Sequence, residues 1–318
     1  MAMKTPNIML WVLGALLPGV VAMTFVWGLG VIWNAAWLCA GCALSEAAAL
    51  YLKGTRQRQA LLFELQDGSA MVTALLIAIC LPPFTYPGVL ALASLAAIGL
   101  AKHAYGGLGR NLFNPAMVGY AVVLVSFPQS FATWPGLGAA ELDAFSGATL
   151  LTDFRYRTGS TVEEFELGQA NAVAQQRLVA FWFLAGGLLL TYKKILAWRV
   201  SAGMFAGVAL AALFGYDQGS SLSLGGAFFH WTTGGFMAAA FFVATDPVTH
   251  PRQHRHQVIF GLTVGVFVYL IRAYGTFPDG IAFAVLFANC LTPFLNRLPA
   301  KERNATPTAE QREQAANG

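Results

Sequence analysis

Apolar stretches of roughly 17 to 25 residues, the length that crosses a hydrocarbon core about 30 Å thick, recur from Ile8 to Leu295 with short polar interruptions. The pattern predicts spans over residues 8–28, 31–51, 68–84, 87–103, 112–128, 178–193, 200–215, 226–245, 257–273 and 280–295. The expected fold is all-α, a polytopic membrane protein of about ten transmembrane helices. The only long polar connection, 129–177, separates the fifth span from the sixth. This divides the chain into a first five-helix membrane repeat (1–128), an outer loop (129–177), a second five-helix repeat (178–298) and a short polar tail (299–318). The run Met9 to Gly28 follows Lys4 much as the core of a signal peptide would, but Pro18 interrupts it and no small-residue cleavage site follows. It is read as a retained first helix.

The two halves echo each other. His103-Ala-Tyr-Gly106 answers Arg272-Ala-Tyr-Gly275, and Cys80-Leu-Pro-Pro83 answers Thr245-Asp-Pro247. With five spans between the copies, the halves enter the membrane from opposite sides, which is the plan of inverted repeats. Pro82, Pro83, Pro115 and Pro247 stand at predicted helix ends or first turns, where a missing donor is tolerated. Such places suit broken helices, whose free backbone groups must be covered by protein or water.

Composition agrees with a membrane protein: 57% of the 318 residues are hydrophobic and 11% charged, against roughly 25% charged in soluble domains. No soluble domain of any size is left over. Lys and Arg gather at Lys53 to Arg58, at Lys193, Lys194 and Arg199, at Arg252 to His256, and at Arg297 to Arg303. Basic loops stay inside, and counting spans from a cytoplasmic N-terminus puts every cluster there. The C-terminal tail is then cytoplasmic too. Residues 129–177 fall on the periplasmic side of a bacterial inner membrane, with Asp143, Asp153, Glu163, Glu164 and Glu166 set against Arg155 and Arg157. The net charge of +4 therefore bears on topology and on lipid, and no nucleic-acid partner is expected.

The long loop holds Asp143-Ala-Phe-Ser146-Gly147-Ala148-Thr149-Leu150. A threonine hydroxyl flanked by small residues can enter another protein's active site and accept a phosphoryl-linked group as a phosphodiester, with Asp143 as a recognition handle. Taken by itself, the segment also reads as a turn followed by a helix cap.

Asp143-x-x-Ser146-Gly147-Ala148-Thr149 resembles the flavinylation signal of the membrane subunits of two related redox pumps. Tyr105-Gly-Gly-Leu-Gly-Arg-Asn111-Leu-Phe-Asn114-Pro115-Ala-Met-Val-Gly119 is similar to their glycine-rich loop leading into a helix, and Ala244-Thr-Asp246-Pro247-Val-Thr to a third motif, in the expected order. With the ten spans, these features resemble the D subunits of the Rnf ion-translocating electron-transport complexes. The B subunits of sodium-translocating NADH:quinone reductases are the related alternative, set aside because the first helix here begins within about eight residues, without their longer N-terminal extension.

The resemblance implies FMN joined to Thr149 by an accessory flavin transferase, and admits a second, non-covalent riboflavin with no readable signature. It implies partners, a further flavin-bearing subunit and iron–sulfur subunits, in a complex that couples electron flow between NADH and ferredoxin to movement of Na⁺ or H⁺. This chain carries no dinucleotide motif, so its implied role is electron relay and the complex is the enzyme. The competing class is a transporter or channel with inverted repeats and no redox role.

Other residues leave alternatives open. Asn111 and Asn114 suit helix capping or contact with a flavin edge. Asp246 suits a cap or an ion path, since intramembrane acids are functional candidates by default. Glu46 suits an ion path or snorkelling to the interface near Lys53. Gly106-Gly-Leu-Gly109 lacks the strand and spacing of a nucleotide loop. No metal site is expected among His250, His254 and His256, because no ligand spacing repeats. Cys39, Cys42, Cys80 and Cys290 sit in apolar segments as small hydrophobes, and the resemblance places iron–sulfur clusters in other subunits.

Overall fold

The computed structural model describes residues 5–54, 67–131, 134, 149–275, 277 and 279–298. Asp143, Ser146, Gly147 and Ala148, Arg56 and Arg58, and the tail 299–318 lie outside them. Among the described residues there are helices and no β-strand, as the apolar pattern predicts.

In the first half, α1 (Thr5–Trp27) and α2 (Gly30–Leu52) are full-length, α3 (Ser69–Ala78) is short, α4 (Pro87–Ser94) continues as a π-helix over Leu95–His103, and α5 (Pro115–Ser126) is again short. The connection carries α6 (Leu150–Tyr156) and α7 (Val162–Gly168). In the second half come α8 (Ala170–Tyr192), α9 (Trp198–Gly215), α10 (Ala227–Thr232), α11 (Phe236–Ala238) running into a π-helix over Ala239–Val243, α12 (His254–Tyr274) and α13 (Ile281–Arg297). Five of these, α1, α2, α8, α9 and α12, are each long and apolar enough to cross a bilayer. The chain is a multi-pass membrane protein.

Three expected continuous spans are shorter or broken. Span 68–84 is helical only to Ala78, span 112–128 begins at Pro115, and span 226–245 divides at Thr233–Gly235. An apolar run averaged over a whole span does not place such breaks, although Pro82, Pro83, Asn114 and Thr233 to Gly235 stand in them. Polar cover is what stabilises them. Asn34, wholly buried in α2, donates to the Pro82 carbonyl at 2.7 Å and accepts from the Thr85 amide at 3.1 Å. In the second half, Ser201 of α9 donates to the Ala240 carbonyl of the π-segment at 2.6 Å. Each supplies partners that lipid cannot.

The halves repeat their packing. α2 lies on α3 and α4 as α9 lies on α10 and α12, while α1 pairs with α8 and α5 with α13 across the halves. The α9–α12 crossing is close. Gly203 and Gly207 face Gly261 and Gly265, and a Cβ on any of them would fall on backbone atoms of the opposing helix. Small residues at this spacing let membrane helices approach closely.

The connection is not plain loop. Leu150, Leu151, Phe154, Val162 and Phe165 form a small core with Phe229 of α10, the rings of Phe154 and Phe229 lying 4.2 Å apart. Thr161 and Glu164 close a capping box at the start of α7. Helix α8 also starts at Ala170, within the stretch expected to be loop.

Candidate functional site

Two cavities lie between the halves, near opposite ends of α1. Met23 and Trp27 face the first, Met9 and Val12 the second, so that roughly 20 Å of helix at 1.5 Å per residue separates them. Between them stands a wall made by the start of α5 and the π-segment of α11. Asn114 caps α5 by accepting from the Met117 amide at 3.2 Å, and its side-chain amide donates to the Val243 carbonyl at 3.1 Å. Its own backbone amide donates to Asn289 of α13 at 3.0 Å.

Thr149 stands half-buried on the first cleft, which holds about 1190 Å³ including its mouth. The walls are mostly apolar and aromatic. Trp27 and Trp134 meet edge to face at 5.9 Å, as do Tyr120 and Phe131 at 5.4 Å. A few polar groups converge among them: Thr149, Gln176, Tyr120 and Asp279. Large apolar clefts with few placed polar groups are the usual form of cofactor sites. Among the described residues the Thr149 hydroxyl makes only local bonds as the cap of α6, accepting from the Thr152 amide at 3.3 Å and lying 2.9 Å from the Thr152 hydroxyl. The cap expected from the residues is thus present, and esterifying this oxygen would break no long-range contact among the described residues.

The helix break at Thr233–Gly235 forms another part of the wall, and polar side chains meet its backbone from both sides. Gln176 accepts from the Gly234 amide at 2.6 Å and Asp279 from the Gly235 amide at 3.2 Å. Arg272 donates to the carbonyls of His230 at 2.7 Å and Thr233 at 3.2 Å. Gly234 adopts φ +62°, and a Cβ there would collide with Asp279, Arg272 and Leu151, so glycine is required.

The second cavity, about 870 Å³ including its mouth, brings together Asn111, Asn114 and Asp246 with Lys102, Ser69 and Thr73. Asn111 and Asn114 therefore face this cavity and not the cleft of Thr149. Asp246 makes a turn of its own, accepting from the Val248 amide at 3.2 Å and the Thr249 hydroxyl at 3.3 Å, and still faces the cavity. Glu46 does not snorkel: it is 2% exposed, because Lys102 and His103 of the π-helix meet it inside the protein. One pair of the repeated motifs falls on opposite cavities, Cys80 on the first and Thr245 on the second.

A profile of the NQR2, RnfD, RnfE family matches residues 1–304. The chain belongs to this family. Among its relatives, the D subunit of the ion-translocating oxidoreductase complex of Pseudomonas aeruginosa is 40% identical over 312 residues, covering 92% of this chain and 90% of that one. The subunits of the same name from Cellvibrio japonicus (39%, covering 93% and 89%) and Shewanella denitrificans (36%, covering 92% of each) are similar along the same length.

For a member of this family, the residues that the motifs pick out are only part of the site. Arg272 and Asp279, Gln176, Asn34 and Asn289 escape a reading by motif. Arg272 is visible in the repeat as the partner of His103, and both prove to be buried cationic or imidazole groups bonded to a carboxylate, His103 to Glu46 at 3.3 Å and Arg272 to Asp279 at 3.0 Å. Asp279 lies one residue before its predicted span, where an acid looks like ordinary loop. The three-glycine loop takes φ of +115°, +107° and +82° at Gly106, Gly107 and Gly109, which accounts for its composition without a phosphate. Among the described residues no group of His, Cys, Asp and Glu is placed to hold a metal ion.

Proposed function

We propose that this chain is the flavin-carrying D subunit of an ion-translocating oxidoreductase complex, with FMN esterified to Thr149 and the complex passing electrons between NADH and ferredoxin as Na⁺ or H⁺ moves. The observation that carries the reading is the position of Thr149 on a large aromatic cleft between the halves, with its hydroxyl tied, among the described residues, only to its own turn. The name that the relatives share, the D subunit of an ion-translocating oxidoreductase complex, supports assembly with other subunits, of which flavin-bearing and iron–sulfur members are the expected neighbours. A flavin transferase makes the bond, and the cleft faces the periplasm.

When bound, FMN supplies redox chemistry at its ring, while the chain orients and shields it. Trp27, Phe131 and Trp134 provide flat apolar surface, and Gln176 and Asp279 provide the polar contacts. The second cavity carries the other part of the reading. Its cluster of Asn111, Asn114 and Asp246, with Glu46 reached through Lys102, suits an ion path or the second, non-covalent riboflavin.

The test is a denaturing gel of the protein from cells that express the transferase, viewed for flavin fluorescence. The wild-type band fluoresces and that of Thr149→Ala is dark. A dark wild-type band overturns the redox reading in favour of a plain transporter.

A further inference from the structure

A hydrogen-bonded chain of side chains runs from the exposed end of α2 to the second cavity. Glu46 of α2 uses a single oxygen, Oε1, to accept from Lys102 Nζ and, at 3.3 Å, from His103 Nε2, and its other oxygen, Oε2, is buried without a partner among the described residues. Lys102 also donates to the Ser69 hydroxyl at 2.7 Å, which donates to Asp67 at 2.6 Å. His103 Nδ1 lies 3.1 Å from Nζ of Lys53, an exposed residue at the end of α2.

The proton positions follow. An ammonium only donates, so His103 Nδ1 accepts from Lys53 and the ring proton sits on Nε2, aimed at Glu46. Two of the three Lys102 protons go to Glu46 and Ser69, which leaves one for an acceptor in the second cavity, which Lys102 lines. A buried ion pair contributes little net stability compared with apolar residues of the same volume. A histidine placed between an exposed lysine and a carboxylate with one free oxygen is explained by transfer. The other titratable groups facing the chain are Cys42, one turn before Glu46, Asp67 beside Ser69, and Asp246 on the second cavity.

We propose that Lys53, His103, Glu46 and Lys102 relay protons between the exposed end of α2 and the second cavity. An acceptor in the cavity takes a proton from Lys102, which is left as the neutral amine. His103 Nδ1 takes a proton from Lys53, which recovers its own from water, and as the ring gains that charge the Glu46 carboxylate takes its Nε2 proton and hands it to the Lys102 amine. One proton moves inward and no electron moves with it. The ring is left as the other neutral tautomer and is reset by rotating about Cβ–Cγ, which moves no proton back. This relay rests on the chain working in a redox complex and not on a flavin at Thr149.

The test uses the whole complex in vesicles, driven by NADH, with a pH-indicator dye reading proton uptake. In His103→Ala, uptake slows roughly tenfold or more and added imidazole restores it. In Glu46→Gln, uptake slows equally and imidazole does nothing. Unchanged uptake in either variant, or no rescue of an assembled His103→Ala complex, overturns the relay. Should His103→Ala fail to assemble, His103→Gln takes its place: it keeps a donor for Glu46 but passes no proton, and normal uptake in it overturns the proposal. Fluorescence of the denatured band is scored separately, so that loss of the flavin reading and loss of the relay are told apart.

Discussion

Arg272 grips Asp279 with two nitrogens, Nε on Oδ1 and a terminal nitrogen on Oδ2, both at 3.0 Å. The same guanidinium holds the carbonyls at the end of α10. The carboxylate that shares a cleft with Thr149 is thus fixed by the residue that makes the helix break tolerable. Both ends of the break depend on one planar group with five donors, which a lysine cannot imitate.

Removing either partner should therefore have unequal effects. Arg272→Met leaves Asp279 without its cation, with the Gly235 amide as its remaining partner, and two carbonyls unpaired, and should destabilise the protein on the order of 3–5 kcal/mol, seen as a fall in the Tm of the detergent-solubilised protein. Asp279→Asn keeps an acceptor for Arg272 and should cost less. If the two variants melt alike, the break is not held in this way.

The α9–α12 crossing predicts a contrast between glycines. Gly261→Ala places a Cβ on the Val200 carbonyl, and Gly265→Ala on that of Met204, whereas a Cβ at Gly14 of α1 meets nothing within 4 Å. The first two should lower the Tm, since neither opposing backbone can retreat without parting the helices. Gly14→Ala should leave it unchanged or raise it, by up to about 1 kcal/mol of helix propensity. Equal responses would mean that close approach is unimportant.

Asp246 makes a local turn yet faces the second cavity, so the two roles separate in one variant. Asp246→Asn keeps an oxygen for the Val248 amide and removes the charge. Ion transport by the complex should fall while the flavin stays attached to the denatured band. Transport at the wild-type rate removes Asp246 from the ion path.

Particular residues show how much of this is legible in a linear chain. The apolar runs locate the long helices to within a few residues, apart from the start of α8 at Ala170, because a span must be long and continuous to satisfy its own backbone in lipid. They miss the breaks at Ile79–Tyr86 and Thr233–Gly235, since the cover comes from Asn34, Gln176, Arg272 and Asp279, far away in sequence and polar in ways that no periodicity records. Glu46 stands out as an intramembrane acid, but its burial does not, because Lys102 and His103 read as the basic end of a separate helix. Thr149 reads both as a cap and as an attachment point. The cap is present in the structure, and the cleft beside it cannot be read from a linear motif.

The connection offers a pH test outside the membrane. Partial desolvation of Asp153, at the edge of the small core, holds its carboxyl above the ordinary aspartate range, so the folded segment binds that proton more tightly than the unfolded one. The stability tied to this group is present below the ordinary aspartate pKa and is lost as pH rises through the raised value. Glu164 runs the other way. Its bond with the Thr161 backbone, and then that with the Thr161 hydroxyl, holds it below the ordinary glutamate range, so its contribution is present above the ordinary value and fades as pH falls through the lowered one. At neutral pH, Asp153→Asn should therefore slow hydrogen exchange in α6 and Glu164→Gln should speed it in α7, each compared with wild type at the same pH. Both differences should shrink in acid, as the wild-type carboxyls become neutral like the amides that replace them. Slower exchange in Glu164→Gln, or faster exchange in Asp153→Asn, at neutral pH would contradict these assignments.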